Sequence, residues 1–217
     1  MPERQSPLQN RVTPFGEIVA TNARGALFGN RGGCIHDAET GRIKGRPWSS
    51  ARWICCVLEF KGRHRELMQP GLYTELFFLD EATAFAAGHR PCFECRRADA
   101  VRFAEAWATA NLGDPEGARR KIDVLDAQLH VERIDGLTRA QKTYRAALDG
   151  LPDGTLVSFD EAPEDALLVW GAALHRWSFA GYGPARKIPA SAEVTVLTPR
   201  STVAAFASGY LPAVSLP

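Results

Sequence analysis

Pro91-Cys92-Phe93-Glu94-Cys95 constrains this chain more than any other stretch. Two cysteines three apart on a turn opened by proline can bring both thiolates to one metal ion. The flanking residues fit such a turn. Leu76, Phe77, Phe78 and Leu79 form a short apolar run suited to a buried strand. Asp80 can cap a helix there, with Glu81 in its first turn and Ala82 to Ala87, Thr83 apart, as helix formers. Gly88 then occupies the left-handed terminating position, and Pro91 blocks any continuation.

The order of Phe77-Phe78, an Asp80-x-x-x-Ala84 helix, Ala86-Ala87-Gly88, His89 and Arg90-Pro91-Cys92-x-x-Cys95-Arg96 resembles the second half of the Ada-like zinc module of DNA-repair proteins. The likeness covers residues 73–97. It implies a zinc-ribbon-like half-site and Zn2+ as the cofactor. The Cys-x-x-x-Cys pair that opens that module is missing, so the likeness does not imply alkyl transfer. In such modules the knuckle meets DNA backbone. That implies nucleic acid as a partner and Arg90, Arg96 and Arg97 as contacts.

Zinc needs further ligands, and the residues leave the choice open. Cys34 and His36 lie two apart and share a side in extended chain; they rank first. Cys56 with His36 ranks next, and His64 is a further candidate. Cys55 and Cys56 are neighbours on a predicted strand, so at most one points to a common ion. Five cysteines, two of them in C-x-x-C, favour metal over disulfides in a reducing compartment. A cytoplasmic location is expected, because the first residues carry no apolar signal segment and no apolar run is long enough for a bilayer.

The expected class is α+β. Residues 1–115 read as a zinc-ribbon-like module, and 116–217 as a helical segment with a small β-barrel-like unit. Arg52 to Phe60 is the clearest strand, and residues 52–79 read as a small antiparallel sheet carrying the Ala-rich helix. Arg97 to Leu112 and Lys121 to Asp135 have helical periodicity. A helix is also expected from Thr138 to Leu148. TLVSF, ALLVW, LHRWSF and EVTVLT read as strands, and a last helix runs from Ser201, as its cap, to Ser208. The arginine- and glycine-rich stretch 24–46 calls for turns or close backbone approach.

Three functions compete. A basic knuckle near Trp48 and Trp53 suits phosphate and base contacts, although the net charge is only +1. His64-x-Glu66 ahead of Pro91-Cys92-x-x-Cys95 has the order of the zinc deaminase signature, with Glu66 moving protons. Asp126, His130, Glu132 and Arg133 make an alternative hydrolytic cluster, with Asp126 and His130 one helical turn apart. A structural zinc fold that docks a protein partner is the third reading. Phosphate-loop, dinucleotide and nucleophile-elbow motifs are missing.

Overall fold

The computed structural model describes residues 6–63, 66–114 and 122–216. The fold is α+β. Its first sheet holds β1 (Gln9–Val12), β2 (Ile18–Ala20), β3 (Leu27–Asn30), β6 (Ile54–Val57), β7 (Leu76–Phe78) and β8 (Arg90–Pro91) in the order β2-β1-β7-β3-β6-β8. A two-stranded ribbon, β4 (His36–Asp37) with β5 (Arg42–Ile43), stands apart.

This sheet corrects the expected antiparallel unit over 52–79. β6 and β7 do not pair with each other; β3 runs between them, antiparallel to both. Two pairings, β1 with β7 and β6 with β8, are parallel. Gly29 makes the insertion possible. A Cβ there would lie 2.0 Å from the Ile54 carbonyl oxygen and 3.0 Å from the Phe78 ring. Only a residue without a side chain lets β3 sit that close to both neighbours.

The strands divide their residues cleanly between two faces, because alternate side chains point opposite ways. Leu76, Phe78 and Cys55 face a core shared with Val12, Ile18, Ala84 and Ala87. Phe28, Asn30, Ile54, Cys56 and Phe77 fall on the other face, in register across the three strands.

Helix α1 (Glu81–Ala86) follows β7 as expected, with the Asp80 side chain accepting from the Thr83 amide at 2.9 Å. All six of its residues are buried. Ala84 meets the first sheet, Phe85 meets the helices, and Ala82 and Ala86 meet the second sheet. Alanine suits a helix wedged between layers, since its small side chain permits close approach on every side. Gly88 ends this segment at φ +78, where an added Cβ would lie 2.3 Å from Arg133 Cδ.

Beyond the knuckle, α2 (Arg97–Leu112) ends on Gly113 in the left-handed conformation, and α3 spans Ile122–Arg133. The second sheet joins β9 (Tyr144–Ala147), β10 (Leu156–Phe159), β11 (Ala162–Trp170), β12 (Ala173–Ser178), β13 (Gly181–Tyr182) and β15 (Glu193–Val196) in the order β13-β12-β11-β10-β15-β9. A short β14 (Arg186–Lys187) also pairs with β12. Helix α4 (Arg200–Ala207) closes the fold. Phe85 and Phe103 share a core with Leu125, Leu129, Phe206 and Tyr210, so described residues on either side of the expected boundary between 115 and 116 pack together.

Two local expectations are corrected. The helix expected from Thr138 to Leu148 is instead a turn followed by β9 and a 3-10 turn, Leu148–Gly150. Pairing with β15 and the burial of Tyr144 and Ala146 override its helix-forming alanines. Ser201 does not cap α4; Pro199 holds that position. Glu132 on α3 supplies the cap from outside, accepting from the Ser201 amide at 2.9 Å and its hydroxyl at 2.7 Å.

Candidate metal centre

The knuckle sits where β6 and β8 run parallel, with Cys55 opposite Pro91. The Cys92 amide donates to the Cys55 carbonyl at 2.9 Å, and the Arg96 amide closes the turn onto the Cys92 carbonyl at 3.0 Å. This turn brings Cys92 and Cys95 beside Cys56, the β6 residue on the face away from the core. The ligand atoms of the three lie within 4.8 Å of one another. Thiolates around one zinc ion at about 2.3 Å each stand roughly 3.8 Å apart, so the set fits a metal ion. It is the one such group among the described residues.

The electrostatics already favour a thiolate. The Glu94 amide donates to Cys92 Sγ at 3.4 Å. A hydrogen bond from the Cys56 thiol, the largest influence, helps to bring the Cys92 pKa down to about 5 against the opposing effect of burial. Cys56 is pushed far up by that same hydrogen bond and then by burial, and Cys95 is raised, chiefly by burial. Without metal the cluster is therefore one thiolate and two thiols at neutral pH. Binding must displace the protons of Cys56 and Cys95, and acid opposes it. The affinity is expected to rise by about a hundredfold per pH unit between pH 6 and 8, as two protons are released. Competition against a chromophoric chelator measures this; a flat profile would mean that these thiols are not the ligands.

Cys34 and His36, ranked first to complete the site, are not brought to it. Cys34 is exposed, with Sγ 3.9 Å from His36 Nδ1. His36 is buried, and its Nδ1 lies 2.7 Å from the Thr74 hydroxyl. The ribbon β4–β5 carries His36 away from the knuckle, a separation that the two-residue spacing could not show. Cys55 faces the core, where it accepts from Arg96 Nη1 at 3.0 Å; burial, foremost, raises its pKa to about 12. His64 lies outside the described residues.

The knuckle arginines also differ from expectation. Arg90 and Arg96 do not reach solvent to meet phosphates. Arg90 makes a two-pronged pair with buried Asp126, at 2.8 and 2.7 Å. Arg96 binds Glu81 at 2.6 Å and Asp99 at 2.8 Å. A carboxylate in the interior holds a guanidinium in preference to water. Arg97 is the exposed member of the three.

The 126–133 cluster is dispersed in the same way. Asp126 serves Arg90 and Glu132 caps α4. Arg133 donates to the Gly88 and Ala51 carbonyls, both at 2.6 Å, and contacts His130 Nδ1 at 3.1 Å.

The thiol cluster forms part of the wall of a cleft of about 610 Å³. Phe28, Ile54, Leu67, Tyr73 and Phe77 give it an apolar, aromatic side, and Asn30, Glu59, Arg63, Glu75 and Glu94 a polar one. An ion pair between Arg63 and Glu94, 2.7 Å apart and exposed, stands beside it. Glu75 is buried, and its Oε2 accepts from the Met68 amide at 2.8 Å. Glu66, the carboxylate expected to move protons, is exposed and accepts from Gln69 at 2.9 Å. The sequence offered one clue to Glu75. It lies two residues before Phe77, so alternation puts both on one side of the strand. No protein-family model, curated protein or solved structure matches the chain.

Proposed function

We propose that this protein is a zinc-thiolate hydrolytic enzyme, with zinc held by Cys56, Cys92 and Cys95 and its fourth position turned to the aromatic cleft. The observation that carries this reading is the convergence of three sulfurs on the cleft wall. Three protein ligands leave a place for water or substrate, whereas structural zinc sites are closed by four. When bound, zinc in such a site acidifies water and polarises a carbonyl-type group. Glu75, the buried one of the three carboxylates that line the cleft, is suited to accept and return a proton, and the aromatic side suits a small, flat substrate that also carries polar groups.

The rival structural reading requires a fourth protein ligand, for which His64 is the sequence candidate. Cobalt(II) replacement separates the two. A thiolate-to-cobalt absorption of three-sulfur intensity, unchanged in His64→Ala and shifted by added azide or cyanide, is expected for the open site. Loss of the metal in His64→Ala, or a spectrum indifferent to added anions, would leave a closed structural centre. The nucleic-acid reading now draws on Arg97 alone among the three knuckle arginines, since Arg90 and Arg96 are bound to carboxylates.

A further inference from the structure

Away from the thiol cluster, two buried guanidinium groups lie against the Trp53 indole. Arg31 Cζ lies 4.1 Å from one of its rings and Arg133 Cζ 3.8 Å. Arg31 is 1% exposed and Arg133 2%. Neither has a carboxylate within ion-pair distance among the described residues. Arg31 donates to the Gly16 carbonyl at 2.9 Å and approaches the His89 ring at 3.4 Å. Arg133 is held by two carbonyls, and its Nε is buried without a partner. Two interior cations satisfied only by neutral acceptors are unusual, because an unpaired buried charge is strongly disfavoured.

Both arginines line a cavity of about 360 Å³, together with Trp53, Arg139 and Gln141. Gln141 adds a second unsatisfied group. Its Nε2 faces the Pro14, Ala86 and Leu197 carbonyls at 3.1, 2.8 and 3.0 Å, which fixes the amide orientation. Its Oε1 is then buried with no donor. A neighbouring cavity of about 440 Å³ shares Arg139 and Ile134 and adds Arg46, Lys142 and His130. Glu17, exposed, is the carboxylate lining the first cavity, and the lining of the second includes none. The nearby Asp135 carboxylate is turned into its own loop, accepting from the Leu137 and Thr138 amides.

We propose that this cavity binds a small phosphorylated hydroxy compound of the sugar-phosphate class, its phosphate received by Arg31, Arg133 and Arg139 and a hydroxyl by Gln141 Oε1. Phosphate supplies the anion that the two buried guanidinium groups lack, and arginine forks match its oxygens. A hydroxyl supplies the donor that Gln141 lacks. Burial pulls the pKa of Arg31 down to about 9; burial, and then the neighbouring Arg31 charge, pull that of Arg133 well below its usual value despite the attraction of Asp126, which is already paired with Arg90. This site is separate from the thiol cluster and stands or falls without it.

Isothermal titration of the full chain, purified without chelators, tests the assignment. The probes are inorganic phosphate, ribose 5-phosphate and decathymidylate lacking terminal phosphates. Ribose 5-phosphate is expected to bind one to one and more tightly than inorganic phosphate. Arg139→Gln, an exposed change, should weaken it at least about tenfold, and Arg31→Gln more. If Arg31→Gln does not fold by circular dichroism, Arg139→Gln decides. No binding of either phosphate compound, undiminished binding in Arg139→Gln, or binding of decathymidylate alone would overturn the proposal. Equal affinity for inorganic phosphate and ribose 5-phosphate would overturn the role given to Gln141.

Discussion

Cys92→Ser and Cys56→Ser are each expected to strip the metal from the purified protein and to lower its melting temperature by about 10 °C. The estimate follows from mass action. A metal present at about a thousand times its dissociation constant stabilises the folded chain by about 4 kcal/mol. In a chain of this length each kcal/mol moves the midpoint by about 2–4 °C. Elemental mass spectrometry and scanning calorimetry read the two effects. The controls are as informative as the variants. Cys55→Ser removes the thiol next to Cys56 in sequence, but that thiol faces the core and Arg96, so its metal content should stay at the wild-type level. Cys34→Ser, at an exposed position away from the cluster, should behave like wild type. Full metal content in Cys92→Ser, or loss of metal in Cys34→Ser, would refute the ligand set.

That contrast also marks how far the site could be read from sequence. The C-x-x-C pair, its proline, the Asp80-capped helix and Gly88 are local signals, and each occupies its expected place. The third cysteine of the cluster is non-local. Alternation along Ile54-Cys55-Cys56-Val57 says that one cysteine faces inward and one outward, but not which face meets the knuckle. That depends on β8 lying parallel to β6, a pairing between segments 36 residues apart with no signature of its own. The same limit explains why the small antiparallel sheet expected over 52–79 differs from the one found. Nothing local announces that Leu27–Asn30 inserts between β6 and β7, although the glycine that permits it stands in plain view at 29. The arginines were misjudged for a related reason. A basic cluster beside a turn reads as surface when its carboxylate partners, Glu81 and Asp126, lie 15 and 36 residues away. In the second sheet, β10, β11, β12 and β15 fall on the stretches expected as strands, because each is an apolar or β-branched run joined to its neighbour by an antiparallel turn or pairing; β9, rich in alanine, does not.

The Glu81 network carries the other large effect. Glu81 is 2% exposed. Its Oε1 accepts from Arg96 at 2.6 Å and from the Tyr210 hydroxyl at 2.8 Å; its Oε2 accepts from the Ala213 amide at 2.8 Å. Glu81→Ala removes all three and leaves the Arg96 guanidinium with Asp99, a partly exposed partner. Breaking one side of a buried pair typically destabilises by about 3–5 kcal/mol, and that loss is expected in urea denaturation. Removing both charges with side chains of similar bulk, Glu81→Leu with Arg96→Met, should recover much of it, because no uncompensated charge remains. A loss below about 1 kcal/mol, the range of exposed pairs, would contradict a buried network. The consequence reaches the metal. Arg96 follows Cys95 directly, its amide closes the knuckle turn and its guanidinium meets Cys55 behind Cys56. Freeing that side chain loosens the backbone that aims the thiols, so Glu81→Ala should also weaken metal binding by about 10–100-fold, as losses of supporting hydrogen bonds do at other metal sites. Since Glu81 is not among the converging thiols, unchanged affinity in a variant that still folds would separate the stability of this network from the geometry of the centre.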